Sequence, residues 1–190
     1  MTRIIAGTAR GRQLKVPKSG TRPTSDRVRE SIFSSLDHLL GSWDGLGVLD
    51  LYAGTGAFAF EALSRGATRA VTIESDSGAC ATIRENVTHT GLSADVVRAD
   101  VSSWIDHQQG RGFDVVFLDP PYDVGTVSLS TVLAQLALGC LLNDGAVVVV
   151  EYPSRSAAPT FPIGFGEVTD RRFGDTSVSR AVWYVSGNPN

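Results

Sequence analysis

The stretch Phe113-Asp-Val-Val-Phe-Leu-Asp-Pro-Pro-Tyr122 begins with an apolar run and stops at an acid followed by two prolines. Residues 115–118 are valine, phenylalanine or leucine, which is typical of a strand buried on both faces in a parallel sheet. The prolines donate no hydrogen bond and hold the chain extended, so the strand must end there. Ligands of open α/β sheets bind just outside the carboxyl ends of the strands. Asp119 and Tyr122 are therefore candidates for holding a flat, amine-bearing substrate; the alternative is a strand followed by a rigid turn.

Strand and helix patterns alternate through the centre of the chain. A helical stripe of Val28, Ile32, Phe33 and Leu36 comes first, with Thr24, Ser25 or Asp26 as its cap. Further helical patterns run to Leu63, over residues 77–90 with Gly91 at the end, and through Val132, Leu133, Leu136 and Leu141. Strand patterns cover residues 48–52, 70–74, 94–99, 113–119 and 146–151, and two weaker ones cover about 166–173 and 177–185. This alternation predicts a doubly wound α/β sheet with a mainly parallel core and an antiparallel end.

The N-terminal segment has a different pattern. Residues 3–16 alternate loosely around a glycine-rich turn, which predicts a hairpin, and residues 17–23 form a linker. Isolated two-stranded hairpins are only marginally stable, so this one should pack on the body or become ordered when it binds a partner. We expect a basic extension over residues 1–22 and a single domain over residues 23–190.

The net charge of −3 conceals an asymmetry. Residues 1–36 contain eight Lys or Arg and two acidic residues, a net charge of +6, so the other residues carry −9. A basic segment on an acidic body favours a polyanionic partner, most often nucleic acid, over a solvated terminal extension. The arginines at the entrance of the first helix can meet phosphate oxygens together with free backbone N–H groups. The candidate nucleic-acid contacts are Arg3, Arg10, Arg12, Lys15, Arg22, Arg27 and Arg29.

Composition sets the remaining limits. Cys80 and Cys140 lie in apolar patterns without a CxxC motif or a nearby histidine pair, so we expect core packing and neither a disulfide framework nor a metal site. No stretch approaches transmembrane length, and we expect a cytoplasmic, monomeric protein.

Acidic residues end the parallel strands and predict a ligand site at one edge of the sheet. Gly54 and Gly56 let the backbone approach a ligand closely, while Glu74 can accept hydrogen bonds from ribose hydroxyls. A carboxylate at Asp100 can accept one from an adenine amine. The acids expected to gather there are Asp50, Glu74, Asp100 and Asp119.

The glycine loop leaves an alternative open. Residues 54–59 also match the G-x-G-x-x-A dinucleotide fingerprint, with an acid twenty positions after Gly54. Asp50 disfavours this interpretation, because its carboxylate would repel a pyrophosphate but favour a cationic ligand. S-adenosylmethionine carries an ammonium and a sulfonium group and no phosphate, so the charge of Asp50 favours it over a dinucleotide.

These motifs resemble those of a known family. Asp50-Leu-Tyr-Ala-Gly-Thr-Gly56, Glu74-Ser-Asp76, Asp100 and Asp119-Pro-Pro-Tyr122 are similar to the ordered motifs of class I S-adenosylmethionine-dependent methyltransferases that act on an exocyclic amine. Ile4-Ile-Ala-Gly7, Arg10-Gly-Arg12 and Arg22-Pro-Thr-Ser-Asp-Arg-Val-Arg-Glu30 resemble the RsmD family of 16S rRNA (guanine-N2) methyltransferases. The resemblance extends over about residues 3–185.

The resemblance implies a Rossmann-like fold with a mainly parallel seven-stranded sheet, an antiparallel C-terminal strand and an N-terminal β-hairpin. It implies methylation of one guanine in the head of the small ribosomal subunit, on an assembled or partly assembled 30S particle. The implied catalytic residues are Asp119, Pro120, Pro121 and Tyr122. The implied S-adenosylmethionine-binding residues are Asp50, Tyr52, Ala53, Gly54, Gly56, Glu74, Ser75, Asp100 and Val101.

The acid, the prolines and the aromatic ring suggest a mechanism. Asp119 and the Pro120 carbonyl would accept the two N–H bonds of the amine and aim its lone pair at the methyl group, while Tyr122 stacks on the everted base. The alternatives are a DNA or RNA adenine-N6 or a protein amine methyltransferase, a NAD-dependent oxidoreductase and a non-catalytic RNA-binding protein. Residues 154–165 have no functional interpretation.

Overall fold

The computed structural model describes residues 2–17, 25–108, 112–121 and 126–185. The helices of these ranges are α1 (Asp26–Leu40), α2 (Ala57–Arg65), α3 (Ser77–Thr90), α4 (Val101–Asp106) and α5 (Thr126–Leu138). The strands are β1 (Thr2–Arg3), β2 (Gln13–Leu14), β3 (Gly47–Leu51), β4 (Arg69–Glu74), β5 (Asp95–Arg98), β6 (Phe113–Leu118), β7 (Leu142–Pro153), β8 (Thr169–Phe173) and β9 (Thr176–Val182).

Seven strands form one sheet in the order β5-β4-β3-β6-β7-β9-β8, and β1 and β2 form a separate antiparallel pair. β3, β4 and β5 pair in parallel, as do β6 and β7. β9 runs antiparallel to both β7 and β8. The predicted fold class is therefore confirmed: a mostly parallel α/β sheet with an antiparallel C-terminal end and a small N-terminal hairpin.

The chain divides into two compact units, residues 1–99 and residues 100–190. The predicted boundary near residue 22 lies in the segment 18–24, outside the described residues, and the predicted division stays a prediction.

In the first unit, the N-terminal segment is part of the hydrophobic core. Ile4, Ala9 and Leu14 are buried in the same cluster as Phe60 of α2 and Ile83 of α3. Burying apolar side chains is the main driving force for folding. Residues 2–17 are thus fixed to α2 and α3 by apolar packing.

Helix α2 also holds the N-terminal segment through hydrogen bonds. The buried Glu61 carboxylate accepts the backbone N–H groups of Ile5 at 2.7 Å and Ala6 at 3.0 Å. The Ser64 hydroxyl accepts the N–H of Ala9 at 2.9 Å, and its carbonyl oxygen accepts the N–H of Thr8 at 2.7 Å. These contacts satisfy backbone groups that would otherwise be costly to bury.

The local signals of the first two long helices have the expected form. Ser25 caps α1, and its hydroxyl accepts the N–H of Val28 at 3.3 Å. Gly91 ends α3 in the left-handed conformation, with φ of 70°.

The second unit differs from the prediction at three places. Helix α4 was not predicted. Leu141 lies beyond the end of α5, although it is buried, and β7 begins at Leu142. Cys140 is exposed with a φ of 54°, so the prediction that it packs in the core is wrong; Cys80 of the first unit is buried as expected. The connection between α5 and β7 is too short for the helix to include these residues.

Candidate functional site

A tight turn follows β3 in the first unit. Tyr52, Gly54 and Gly56 have positive φ angles of 62°, 54° and 75°. The N–H of Gly56 donates to the carbonyl oxygen of Ala53 at 2.7 Å, and the N–H of Ala53 donates to Ile73 of β4 at 3.1 Å. A left-handed tyrosine is uncommon, and such residues cluster at ligand sites. We call residues 52–56 the glycine loop.

Glu74, the last residue of β4, closes the glycine loop. Its Oε2 accepts the N–H of Gly54 at 2.9 Å, and its Oε1 accepts the N–H of Asp76 at 2.8 Å. A carboxylate offers about four lone-pair sites, so two protein donors leave acceptor capacity for a ligand. The half-buried position of Glu74 fits binding to ribose hydroxyls.

Asp50 lies in a different environment from Glu74. It is 1% exposed, and its Oδ2 accepts the N–H of Ala59 at 3.1 Å in the first turn of α2. Negative charge is favourable at a helix N-terminus. The structure therefore gives Asp50 a bond that fixes α2 behind the glycine loop, and a direct contact with a ligand stays a prediction.

Two further acids cap helices. Asp76 Oδ1 accepts the N–H of Ala79 at 2.7 Å at the start of α3. In the second unit, Asp100 Oδ1 accepts the N–H of Ser103 at 3.0 Å at the start of α4. Asp100 is exposed, and its contact with an adenine amine stays a prediction. Ser75 is exposed and Val101 is buried.

Asn86 of α3 was missed by the sequence interpretation. It is fully buried, and its Nδ2 donates to the carbonyl oxygen of Thr55 in the glycine loop at 3.1 Å. The sequence carried one signal for it: Asn86 lies three residues after the buried Ile83, on the core side of the helix.

The acid and prolines of the second unit follow a strand of the predicted kind. β6 is almost entirely buried and ends at Leu118. Asp119 and Pro120 are half-buried and Pro121 is exposed. Tyr122 lies outside the described residues. Their predicted catalytic roles stay predictions.

The predicted RNA contacts fall into two groups. Arg3, Arg10, Arg12, Lys15 and Arg27 are at least partly exposed, and Arg22 lies outside the described residues. Arg29 is 0% exposed and donates to the carbonyl oxygen of Arg3 at 2.5 Å and to Asp26 at 2.9 Å. A direct contact between Arg29 and RNA does not fit this burial, because the guanidinium group joins β1 to α1 inside the protein.

Several exposed basic residues also hold the N-terminal segment in place. Arg12 donates to the carbonyl oxygen of Thr90 at the end of α3. Lys15 forms an ion pair with Glu85 at 2.8 Å. The exposed side chain of Arg10, by contrast, makes no hydrogen bond or ion pair with the described part of the chain, so Arg10 is the clearest test of charge alone.

Cys80 lies beneath Glu74, and its Sγ donates to the Glu74 carbonyl oxygen at 3.4 Å. Burial, and then the charge of Glu74, raises the pKa of the Cys80 thiol. Cys80 is therefore a packing residue and not a nucleophile. In the described part of the chain, no group of three or more His, Cys, Asp or Glu is arranged to hold a metal ion, and no helix has the length and apolarity needed to cross a membrane.

Comparisons with known proteins agree with this geometry. A family model described as "Conserved hypothetical protein 95" matches residues 2–182. The chain is 38% identical over 162 residues to Ribosomal RNA small subunit methyltransferase D of Escherichia coli K12, covering 84% of this chain and 79% of that protein. The protein of the same name from Haemophilus influenzae is 39% identical over 159 residues, covering 78% and 77% of the two chains.

Solved structures share the fold over almost the whole chain. The structure described as a putative methyltransferase from Escherichia coli superposes with a TM-score of 0.85 and 32% identity, covering 97% of this chain and 98% of that one.

Proposed function

We propose that this chain, which belongs to the RsmD family of ribosomal RNA small subunit methyltransferases, methylates the exocyclic 2-amino group of one guanine in 16S rRNA. The family makes it an rRNA methyltransferase. The choice of guanine N2 is the part that we add. The observation that carries the exocyclic-amine target is the acid and two prolines, Asp119-Pro-Pro121, directly after the buried strand β6. The Glu74 carboxylate, which closes the glycine loop at the end of β4, supports the cofactor site.

S-adenosylmethionine is the cofactor, and it supplies a methyl group on a positively charged sulfur. The chain offers residues that fit it. Glu74 has lone pairs for the ribose hydroxyls, and the left-handed turn at Gly54 and Gly56 lets the backbone approach the ligand. Asp50 holds the N-terminus of α2 behind this turn.

The nucleophile is a poor one, because the lone pair of the guanine amine is delocalised into the ring. In our proposal Asp119 and the carbonyl oxygen of Pro120 accept its two N–H bonds and direct the lone pair at the methyl carbon. With S-adenosylmethionine bound, the amine nitrogen would form its bond to the methyl carbon as the S–C bond breaks, and the bonding electrons would stay with sulfur. The nitrogen would then lose one proton to Asp119 or water. Positioning the reactants along one line supplies most of the acceleration.

The substrate site needs an extruded base and a bound RNA backbone. We assign stacking on the base to Tyr122, worth about 1–3 kcal/mol, and contacts with phosphate groups to the exposed basic residues of the N-terminal segment. We further propose that the monomer acts in the cytoplasm on a 30S particle or an assembly intermediate, where the rRNA presents the target guanine.

A methyl-transfer assay tests the function. The protein and tritiated S-adenosylmethionine are incubated in three separate reactions with free 16S rRNA, 30S particles or DNA. The labelled nucleoside is identified after digestion. We expect N2-methylguanosine from rRNA or particles. Label in N6-methyladenosine would replace guanine with adenine as the target, and label in DNA alone would overturn the RNA substrate.

A further inference from the structure

The last two strands of the second unit place two arginines on one face. β8 is the edge strand of the sheet and pairs only with β9 among the described strands. Arg171 pairs with Val178, and Thr169 pairs with Arg180. Residues opposite one another in a sheet lie on the same face, and diagonal neighbours are about 7–8 Å apart. Arg171 and Arg180 are such diagonal neighbours.

The two guanidinium groups affect each other. Burial, and then the neighbouring charge of Arg171, lowers the pKa of Arg180. Arg180 is half-buried and Arg171 is exposed. Two like charges held this close favour an anion beside them.

Two acidic residues of the neighbouring strands, Asp170 and Glu151, lie differently with respect to the two arginines. Asp170 alternates with Arg171 and therefore lies on the opposite face, where it accepts hydrogen bonds from the hydroxyls of Ser179 and Tyr152. Glu151 of β7 lies on the same face as the arginines, since it also pairs with Val178. Val149 pairs with Arg180, so Glu151 is the diagonal neighbour of Arg180 and offsets its charge, whereas Arg171 lies on the other side of β9, at the outer edge of this face.

The face of the sheet that carries Arg171 and Arg180 is in register with the end of β6. Leu118 pairs with Val150, so Asp119 and Glu151 are the next residues of their strands. Glu151 pairs with Val178, which pairs with Arg171. Three strand spacings of about 4.8 Å separate β6 from β8, or roughly 14 Å. An RNA strand can span this distance within a few nucleotides of a base held at Asp119.

We propose that Arg171, with Arg180 behind it on the same face, binds a backbone phosphate of the RNA strand next to the nucleotide held at Asp119. This inference rests on the proposed function and adds a second RNA-binding surface, separate from the N-terminal segment. Arginine binds phosphate through two parallel hydrogen bonds. Phosphate contacts fix the register of a protein on nucleic acid without reading its sequence, so this surface would orient the strand and leave the choice of base to the pocket.

The chain provides a matched control for the test. Arg172 follows Arg171 on β8, is also exposed, lies on the opposite face and donates to the carbonyl oxygen of Gly174 at 3.1 Å. Arg171→Gln and Arg172→Gln therefore remove the same charge from neighbouring positions. Thermal unfolding first establishes that both variants fold like the wild type.

Binding of 16S rRNA, without a methyl donor, is then measured by fluorescence anisotropy at several salt concentrations. We expect Arg171→Gln to lower the affinity on the order of 10-fold and to reduce the salt slope by about one, and Arg172→Gln to match the wild type. The same measurement is made with an acidic protein as ligand. Equal rRNA affinities of the two variants would overturn the inference, and so would a loss of affinity that appears only with the acidic protein.

Steady-state methyl transfer gives a second measurement. We expect Arg171→Gln to raise the KM for RNA and to leave kcat unchanged. If the wild type binds RNA but transfers no methyl group to it, the proposed function fails. The difference in binding between Arg171→Gln and Arg172→Gln still decides this inference in that case.

Discussion

Asn86 of α3 holds the backbone of Lys15 from both sides: its Oδ1 accepts the N–H of Lys15 at 2.8 Å, and its Nδ2 donates to the carbonyl oxygen of Lys15 at 3.1 Å. The same Nδ2 donates to Thr55 in the glycine loop at 3.1 Å. One buried side chain thus joins the end of the N-terminal hairpin to the proposed cofactor site. Segments that share such an anchor should lose order together.

Replacing Asn86 with alanine should therefore destabilise the first unit. Asn86→Ala leaves the buried carbonyl oxygen of Thr55 and the partly buried backbone groups of Lys15 without these partners, and we expect a loss of about 2–4 kcal/mol in the free energy of unfolding. Urea unfolding measures it. Asn143→Ala is the control, because the side chain of the exposed Asn143 donates to Asp114 at 2.7 Å near the surface; its effect should stay within about 0.5 kcal/mol. Equal losses in the free energy of unfolding would show that the hydrogen bonds of Asn86 stabilise the protein no more than those of an exposed asparagine.

Replacing Gly7 and Gly11 with alanine distinguishes the stability cost of backbone strain from the cost of a steric clash. Gly7 and Gly11 have similar φ angles of 81° and 84°, but a Cβ atom at Gly7 would lie 1.7 Å from the Ser64 carbonyl oxygen. A Cβ atom at Gly11 would have no heavy atom of the described residues within 4 Å, apart from its chain neighbours. We expect Gly11→Ala to cost about 1–2 kcal/mol. Gly7→Ala should cost more and detach the segment from α2. Hydrogen exchange of residues 2–17 measures this detachment, and equal protection in both variants would contradict it.

The core of the sheet was predictable because its strands are continuous apolar runs. Val115 to Leu118 and the valines of β7 have few other interpretations, and Gly91 marks the end of α3 directly. The burial of Ile4, Ala9 and Leu14 was not predictable in the same way. These three residues lie among glycines and arginines, and their partners on α2 and α3 are distant in sequence.

The helical position of Arg29 and the charge of its side chain indicate different environments. Arg29 precedes Ile32 by three residues and Phe33 by four, which places it on the apolar stripe of α1. We predicted a phosphate contact from its positive charge and did not use its position on the stripe, which is the position of a buried residue. The roles of the acids at the strand ends were hard to predict for another reason. A carboxylate between a strand and a helix can cap the helix or bind a ligand, and the sequence does not distinguish these two roles. Asp76 and Asp100 cap helices.

Glu74→Gln tests the cofactor site. Glutamine keeps the shape but replaces one acceptor oxygen with an NH2 group, which must face either the N–H of Gly54 or that of Asp76. We expect the affinity for S-adenosylmethionine to fall by on the order of 10-fold, measured by calorimetry. Glu85→Gln is the control, since Glu85 is exposed on α3 and pairs with Lys15. Unchanged binding by Glu74→Gln would remove Glu74 from the site.

The two cysteines should differ in reactivity. The pKa of Cys80 is raised by burial, so its thiol keeps its proton in the folded protein above pH 9.0, where an unfolded thiol ionises. The contribution of Cys80 to stability is therefore present below this pH and decreases as the pH rises further. In the native protein at pH 8 we expect iodoacetamide to label Cys140 and not Cys80, and both to react in denaturant. Mass spectrometry of the peptides measures this, and rapid native labelling of Cys80 would show that its site opens.

Asp119→Ala tests the proposed chemistry itself. Removing the carboxylate removes one proposed acceptor for the substrate amine but none of the groups of the glycine loop, so S-adenosylmethionine should bind with unchanged affinity. Methyl transfer to rRNA should fall on the order of 10²–10³-fold. Asp114→Ala is the matched control, because Asp114 lies near the start of the same strand and accepts a hydrogen bond from Asn143. Near-normal turnover by Asp119→Ala would exclude Asp119 from the reaction, whereas equal losses in the two variants would assign the effect to the integrity of β6.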